Sequence, residues 1–326
     1  MNDLNKENTK EKALSDVRDY QFGDKKFPLR EIENLVQAMS NSGGFTAPKL
    51  AKTAKLIKDI FSKQHKKLRW ISFPACLMAT GTRGFFVHAT KNKFVDIIIT
   101  TCGTLDHDIA RTLGTYKQGR FNLDDNELFN KGYSRLGNVL VPIDTYGPTV
   151  EKFLDPIIKS EKAAAIKNKK IIRPVDLIWR IGEKLNHEKS LLTWAAKNKI
   201  PIIVPGLVDG AVGAQIQLNS QDKGDWLDII ADQHLVSDLV WDAESSEALM
   251  IGGGISKHHV IWWNQYRGGL DKAAYITTAV EHDGSLSGAR LREAISWGKI
   301  KNNAEHIVLE GEASIMLALI GSYLFN

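Results

Sequence analysis

A single lysine near the C-terminus carries the most reactive chemistry that the sequence suggests. It is Lys299, in the stretch from Glu281 to Ile300 that reads EHDGSLSGARLREAISWGKI. A lysine amine is a nucleophile only while it is neutral, and burial against an apolar ring favours the neutral form. Trp297, two positions earlier, could exclude water from that amine. For W-G-K alone, a solvated lysine beside a core tryptophan is the simpler interpretation.

The residues before that lysine have the composition of a loop that encloses a polar ligand. In DGSLSGAR, the two glycines can take positive φ angles and the two serines can donate or accept hydrogen bonds. If the residues from Leu291 form an α-helix, Glu293 and Trp297 lie four positions apart on one face. The stretch therefore predicts a polar loop and a helical segment beside the lysine.

The elements that must position this stretch alternate along the chain. Strand-length apolar runs are separated by segments with helical spacing, and strand, crossover and strand in succession form parallel sheets. The pattern predicts an α/β fold with an open, doubly wound, mostly parallel sheet of the Rossmann-like, dinucleotide-binding type. Two helices near Pro28 and Thr46 are expected to pack against it. The predicted strands are LRWISF, FVDIIITTCG, IPIIVPG, ALMIGGG, AAYITTAV and AEHIVLEG.

In such a sheet, ligands bind outside the carboxyl ends of the strands, so the residues that follow the strands matter most. Five strands are followed by polar or glycine-rich residues. Asp209 and Asp283 could hold ribose hydroxyls or could only cap turns. The triple glycine Gly252 to Gly254 does not form G-x-G-x-x-G, so it is weak evidence for a phosphate site by itself. Together these strand ends predict a crevice of the nucleotide-binding type.

Other polar residues admit a structural explanation as well as a functional one. Asp106 and Asp108 could simply occupy the first turn of a helix, where the helix dipole favours acidic residues. His258 and His259 are adjacent and point apart, and no carboxylate or cysteine completes the spacing of a zinc site. We therefore expect no metal. Acidic groups around a candidate amine nucleophile suggest a cationic substrate.

Composition excludes several classes of protein. The 326 residues are 43% hydrophobic and 25% charged with a net charge of +5, which is ordinary for a globular protein. The lysine runs 6–12, 63–67 and 159–170 lack interleaved aromatic residues, so we expect no nucleic-acid partner. Cys76 and Cys102 are far apart in apolar surroundings and predict no disulfide.

The ends and the middle of the chain suggest its organisation. Residues 1–20 are polar and are expected to form a flexible N-terminal arm, and residues 21–326 a single catalytic domain. The lysine-rich stretch 159–170 is interpreted as a surface insertion within one sheet. With no long apolar run and no secretory signal, we expect a cytoplasmic protein without a membrane anchor.

At GGGISKHH, DGSLSGAR and EAISWGKI, the sequence resembles deoxyhypusine synthase, most closely the archaeal members. The resemblance extends from about Trp70 to Phe325 through TGTRGFF, TTCGTLDHD, RLGNVLVP and VDGAVG. It implies that NAD removes a hydride from spermidine, that diaminopropane leaves, and that the butylamine moiety passes to an enzyme lysine as an imine. A lysine of translation initiation factor 5A then accepts it, and the hydride returns. It also implies a homotetramer with active sites shared across an interface.

The resemblance assigns roles to individual residues. Lys299 matches the imine-forming lysine, and His258 matches the residue that handles a substrate proton, a task suited to a neutral imidazole. The implied cofactor-binding residues are Cys76, Ala79, Thr101, Cys102, Gly103, Asp209, Gly253, Thr278, Ala279, Asp283, Glu312 and Ala313. The implied polyamine-binding residues are Asp106, His107, His258, Gly284, Ser285, Ser287, Gly288, Ala289, Arg290, Glu293, Trp297 and Lys299.

Two departures from the family pattern fall at the polyamine end. His107 replaces a glutamate of the eukaryotic members, and Ala214 replaces an aspartate. A trication needs countercharges, so Asp106, Asp108 or Glu281 would have to substitute, or the donor differs, for example agmatine. A homospermidine-forming enzyme that passes the imine to a small amine, and a catalytically silent NAD-binding protein, stay open as alternatives.

Overall fold

The computed structural model describes residues 14–23, 29–221 and 225–325. In this part of the chain nine strands alternate with twelve α-helices. The strands are β1 (Lys67–Ser72), β2 (Ile97–Ile99), β3 (Lys117–Gln118), β4 (Tyr133–Leu136), β5 (Val139–Pro142), β6 (Ile202–Ile203), β7 (Ser245–Ile251), β8 (Leu270–Thr277) and β9 (Ile300–Glu310).

Helices α1 and α2 precede the first strand, α12 follows the last, and the others lie between strands. They are α1 (Leu29–Asn41), α2 (Thr46–Ile60), α3 (Arg83–Lys91), α4 (Gly103–Leu113), α5 (Asp125–Asn130), α6 (Ile143–Lys167), α7 (Pro174–Leu185), α8 (Leu191–Asn198), α9 (Ala211–Asn219), α10 (Asp232–Asp242), α11 (Gly254–Gln265) and α12 (Ala313–Phe325). Short 3₁₀ helices span Ala75–Ala79, Glu281–Asp283 and Leu291–Ile295. Among the described residues, none of the helices combines the length and the apolar character needed to cross a bilayer.

Six strands form one parallel sheet in the order β6-β2-β1-β7-β8-β9. The chain leaves β1 toward one edge through β2 and β6, then crosses back and builds the other half from β7 to β9. This is the strand order of dinucleotide-binding folds, and its topological switch point lies between β1 and β7. The predicted fold class and all six predicted strands are confirmed.

Burial explains why these segments form strands. All six residues of β1 are buried, as are all three of β2, because helices cover both faces of the sheet. One apolar core lies on each face. Phe73, Phe85 and Phe86 belong to the core on one face, and Trp70 and Tyr275 belong to the core on the other.

The described structure corrects two predictions from the sequence. The lysine-rich stretch 159–170 is not an insertion, since α6 runs without a break to Lys167 and buries Ala165 between its lysines. The residues from Leu291 form a 3₁₀ helix instead of an α-helix. The chain leaves it through Gly298, whose φ of 66° closes a turn from Ala294 to Lys299. Glu293 and Trp297 therefore do not share an α-helical face.

A small antiparallel sheet, β3-β5-β4, was not predicted. It lies between α4 and α6, and the segment RLGNVLVP forms its β4–β5 hairpin. Leu136 pairs with Val139 across a two-residue turn, in which Gly137 has a φ of 61°. The Gly-Asn turn is the signal that sequence reasoning passed over.

Of the predicted flexible arm, residues 1–13 lie outside the described residues and residues 14–20 pack on the domain. The Asp19 carboxylate bridges the buried guanidinium groups of Arg83 and Arg111. The backbone of Tyr20 donates a hydrogen bond to Gly81 O and passes so close to Gly84 that a Cβ there would overlap it. These seven residues are therefore held by buried charge pairs and by backbone contacts.

Candidate functional site

The crevice lies at the switch point of the sheet. The turns that follow β1 and β7 meet there, since a Cβ added at Gly252 would lie 3.2 Å from the Pro74 ring. Gly252 and Gly254 have positive φ angles, and a Cβ at Gly254 would meet no atom within 4 Å. The N-terminus of α11 therefore opens onto free space at the switch point. Free backbone N–H groups and the helix dipole make such a position suited to an anion such as a pyrophosphate.

The β1 and β2 ends bring together several predicted cofactor-binding residues. Thr101 Oγ1 accepts a hydrogen bond from Ala75 N at 3.1 Å, and a Cβ at Gly103 would lie 3.0 Å from Ala75 Cβ. Burial, helped by the charges of Asp106 and Asp209, raises the pKa of the Cys102 thiol to about 12. Asp209 is exposed at this point, so its carboxylate is available to a ligand.

The turn after β9 lies against the same region. The Glu312 carboxylate accepts hydrogen bonds from Ser314 N at 2.9 Å, from Ile315 N at 3.2 Å and from the Ser314 hydroxyl. It therefore caps the N-terminus of α12. Burial raises the pKa of the Cys76 thiol, and the nearby Glu312 charge adds to this effect. Glu312 and Ala313 are thus placed beside the Ala75–Ala79 turn, which contains Cys76 and Ala79.

The loop 284–290 rests directly on the glycine triplet. A Cβ at Gly253 would overlap Ser287, so only glycine allows this contact. The Ser287 carbonyl accepts hydrogen bonds from Tyr275 Oη at 2.6 Å and from Thr277 Oγ1 at 3.1 Å. Within the loop, Ser285 O accepts from the amides of Gly288 and Ala289. The loop therefore has a fixed conformation built on the end of β8.

A second lysine, Lys257 on α11, binds the backbone of this loop. Its side chain is 1% exposed, and its Nζ donates hydrogen bonds to Leu286 O at 2.8 Å and Ala289 O at 2.6 Å. Nζ also lies 3.9 Å from the centre of the Tyr275 ring. Burial lowers the pKa of Lys257 to about 8, against the opposing effect of the Glu293 carboxylate. The sequence analysis did not single out this lysine, because contacts between α11 and the loop cannot be read from spacing.

Among the residues at the rim of the loop, some are bound by the fold and others are exposed. Asp283 accepts a hydrogen bond from Ser285 N at 2.7 Å, and the bonds from Ser285 lower the pKa of the Asp283 carboxyl. Arg290 donates to Ala279 O and lies 3.5 Å from Glu310. Arg290 is thus engaged by the fold, while Asp283 stays exposed, as do Thr278, Gly284, Ser285 and Glu293.

Lys299 lies in a recess bounded by aromatic rings, which we call the lysine recess. The residue is 8% exposed, and its Nζ lies 5.1 Å from the Trp297 ring centre and 5.7 Å from the Trp262 ring centre. The His258 ring stacks on Trp262 at 5.6 Å and 30°. Burial lowers the pKa of His258, and the charge of Lys299 lowers it further. Trp262 was missed from the sequence, although it follows His258 by four positions on α11.

A separate polar cluster surrounds Asp106 on α4. Its carboxylate accepts hydrogen bonds from Ala211 N and Val212 N, both at 2.9 Å, and from Tyr146 Oη at 2.8 Å. Burial raises the pKa of Asp106. His107 Nδ1 pairs with Tyr116 Oη at 2.8 Å, and burial lowers the pKa of His107 to about 4. The cluster is internally satisfied, and His107 carries no charge at neutral pH.

The three carboxylates considered as substitutes for the missing countercharges are all engaged by the fold. Asp106 binds the start of α9, as described above. Asp108 is fully buried and accepts from Ser190 Oγ at 2.7 Å and Leu192 N at 2.9 Å. Glu281 pairs with Arg292. Within the described part of the chain, moreover, no hydrogen bond, ion pair or ring contact joins Asp106 or His107 to the lysine recess.

The cysteines and the second histidine do not suggest a metal centre. Cys76 and Cys102 are both free thiols. His259 Nε2 accepts a hydrogen bond from Trp263 Nε1 at 3.2 Å, and burial lowers the pKa of His259 to about 4. In residues 14–23, 29–221 and 225–325, no three or more histidine, cysteine or acidic side chains are grouped as metal ligands.

Comparison with known proteins identifies the family. The family model described as deoxyhypusine synthase matches residues 34–324. The chain is 48% identical over 291 residues to a probable deoxyhypusine synthase of Thermoplasma volcanium, covering 89% of this chain and 92% of the relative. It is 46% identical over 290 residues to one of Picrophilus torridus, covering 89% and 91%.

A solved structure from Entamoeba histolytica, whose description names a deoxyhypusine synthase, has the same fold. Its TM-score is 0.65 at 24% identity, over 95% of this chain and 96% of that chain. The match to this family covers most of the chain, and it is consistent with the strand order and with the crevice at the switch point. The chain belongs to the deoxyhypusine synthase family, a family of transferases.

Proposed function

We propose that this protein transfers the 4-aminobutyl moiety of spermidine, with NAD as cofactor, to a lysine of translation initiation factor 5A in the cytoplasm. The observation that carries the proposal is the environment of Lys299. Its Nζ lies within 6 Å of the centres of two tryptophan rings and near enough to His258 for its charge to lower the pKa of that histidine, and the residue is largely buried. Among the described residues, its Nζ has no hydrogen-bond acceptor and no carboxylate within 4.0 Å. An amine without such partners is available to attack a carbon atom.

The crevice offers what a dinucleotide requires. The open N-terminus of α11 at Gly254 suits the pyrophosphate, and exposed carboxylates at Asp209 and Asp283 suit ribose hydroxyls. When bound, NAD accepts a hydride from the carbon beside the secondary amine of spermidine and later returns it. The residues after β2 and β9, including Thr101 and Glu312, complete the proposed cofactor site.

The residues of the lysine recess account for the transfer itself. The Lys299 amine attacks the oxidised carbon of the donor, and the bond from that carbon to the departing diaminopropane breaks. His258, whose pKa is below its ordinary value, is neutral at pH 7 and can accept the proton that Lys299 loses. The amine of the acceptor lysine then displaces Lys299 in the same manner, and the product is reduced.

A second copy of the chain is proposed to cover the recess. The exposed face of α11 carries Ile255 and Trp262, Tyr266 directly after the helix is exposed, and so is Trp241 on α10. Large apolar side chains clustered on one face are typical of subunit interfaces. This surface supports the proposed homotetramer with shared active sites, and the native mass in solution tests it directly.

The donor is tested by trapping the enzyme imine. Purified protein is incubated with NAD and spermidine, reduced with borohydride and weighed intact, with Lys299→Arg as the matched control. A mass gain of one aminobutyl group that is absent in Lys299→Arg supports the proposal. A gain with agmatine but none with spermidine makes agmatine the donor, which fits the loss of two acidic residues at His107 and Ala214. No gain with either, in protein that binds NAD, supports the silent NAD-binding alternative.

The acceptor is tested in a second step. The untrapped mixture is supplied with factor 5A or with putrescine, and both products are weighed. Transfer to the protein supports the main proposal. Transfer to putrescine alone supports the homospermidine-forming alternative.

A further inference from the structure

In the described part of the chain, the groups around Lys299 Nζ are two indole rings, and no carboxylate lies within 4.0 Å of it. Trp262 and Trp297, which we call the tryptophan clamp, are 41% and 67% exposed in the single chain. Lys299 Nζ lies within 6 Å of both ring centres, which is the range of a cation–π interaction. Trp262 comes from α11 and Trp297 from the turn before β9, so the fold brings the two rings together from distant parts of the sequence.

His258 fixes the orientation of the Trp262 ring. It precedes Trp262 by one helical turn on α11, and the two rings stack with an interplanar angle of 30°. The neighbouring indole, Trp263, is held differently, because its Nε1 donates to Gln233 Oε1 at 3.0 Å and to His259. Two adjacent tryptophans of one helix therefore have separate roles, and only Trp262 lies over the lysine.

We propose that Trp262 is a catalytic residue of the tryptophan clamp that stabilises the positive charge of the protonated imine on Lys299. This inference rests on the proposed function. The amine of Lys299 is neutral when it attacks, and its nitrogen becomes cationic when the imine is protonated. A carboxylate at this position would also hold the free ammonium and so suppress the attack. An indole face attracts the cation more weakly than a carboxylate does. A cation–π interaction typically favours the cationic form by a factor of about three to thirty in an equilibrium constant.

The inference is testable without NAD or spermidine. Butanal condenses with a lysine amine, loses water and gives the same kind of protonated imine, which cyanoborohydride then reduces to a butyl-lysine. Peptide mapping gives the labelling of Lys299 relative to Lys301, an internal reference two residues away. We expect Trp262→Leu to lower this ratio by about three- to thirtyfold and Trp262→Phe to lower it less. Trp263→Phe is the matched control and leaves the ratio unchanged.

A series of fluorinated tryptophans placed at position 262 separates charge stabilisation from exclusion of water. Each fluorine withdraws electron density from the ring face while the ring keeps its shape, so the ratio should decline stepwise with fluorine content. A flat series, or a Trp262→Leu protein labelled as strongly as wild type, overturns the inference. Melting temperature and NAD binding confirm that each variant is folded.

Failure of the inference can be told from failure of the proposed function. If wild-type protein forms the spermidine adduct and Trp262→Leu forms it equally well, the proposed role of Trp262 is wrong and the transferase proposal stands. If Lys299 is labelled by butanal in a Trp262-dependent manner but no adduct forms from NAD with spermidine or agmatine, the clamp stands and the transferase proposal fails.

Discussion

Two lysines of this site, Lys257 and Lys299, are both buried beside aromatic rings, yet their surroundings differ. Lys257 Nζ donates hydrogen bonds to two loop carbonyls and lies over the Tyr275 ring. Lys299 Nζ lies between two indoles, and within the described part of the chain it has no acceptor. Burial alone therefore does not make a lysine a nucleophile. What distinguishes the two is whether the fold already occupies the nitrogen.

The largest effect should come from removing the available amine. We expect Lys299→Arg to reduce aminobutyl transfer by at least about a thousandfold, because a guanidinium cannot form the imine. Lys301→Arg is the matched control and should retain activity within about twofold. Activity is measured as deoxyhypusine formed on factor 5A. A Lys299→Arg protein with near-normal turnover would show that Lys299 does not form the imine.

The next largest effect concerns the pH dependence that Lys257 gives to stability. Folding lowers its pKa from 10.5 to about 8. Between these pH values the unfolded chain keeps a proton that the folded chain has released, so the free energy of unfolding rises with pH. The difference in unfolding free energy between wild type and Lys257→Met should therefore grow by on the order of 3 kcal/mol from pH 7.5 to pH 10.5. Urea unfolding at several pH values measures it, and a constant difference would contradict the assignment.

A smaller effect is expected on the loop 284–290 at neutral pH. Lys257→Met leaves the carbonyls of Leu286 and Ala289 without their donor, so the loop should loosen and the half-saturating spermidine concentration should rise by about tenfold. The trapped adduct should still form on Lys299. Lys257→Arg, which keeps the charge, should recover part of the loss. Complete loss of the adduct in Lys257→Met would mean that Lys257 takes part in the chemistry itself.

The smallest effect should follow from removing one hydroxyl beneath the loop. Tyr275→Phe deletes the bond to Ser287 O and should lower the free energy of unfolding by about 1 kcal/mol. Thr277 still donates to the same carbonyl, so activity should change by less than about threefold. A loss of activity as large as that of Lys257→Met would contradict this ranking and would show that the loop depends on Tyr275 as much as on Lys257.

Much of the fold could be predicted because it depends on apolar runs. The six parallel strands follow from segments such as FVDIIIT, which must be buried on both faces. The β4–β5 hairpin was missed because β4 (YSRL) has no apolar run and alternates half-buried and exposed residues. The 3₁₀ helix at Leu291–Ile295 was missed because its spacing resembles that of an α-helix until Gly298 reverses the chain.

The position of the crevice was predictable from strand ends and motifs, which place Thr101 and Gly253 there, and their role in binding NAD stays a prediction. Trp262 and Lys257 could not be found, because their partners lie 29 to 37 positions away in the sequence and only the packing of α11 joins them. The Asp106 carboxylate also depends on tertiary contact, with the start of α9, for its hydrogen bonds. Sequence spacing therefore predicts which strand ends matter, and packing decides which side chains stay available.

The most direct test of this account locates the trapped adduct. Wild-type protein is incubated with NAD and spermidine, reduced with borohydride, digested and mapped by mass spectrometry. The account predicts an aminobutyl group on Lys299 and none on Lys257. Modification of Lys257, or of surface lysines in equal measure with Lys299, would contradict the claim that Lys299, and not Lys257, presents the reactive nitrogen of this site.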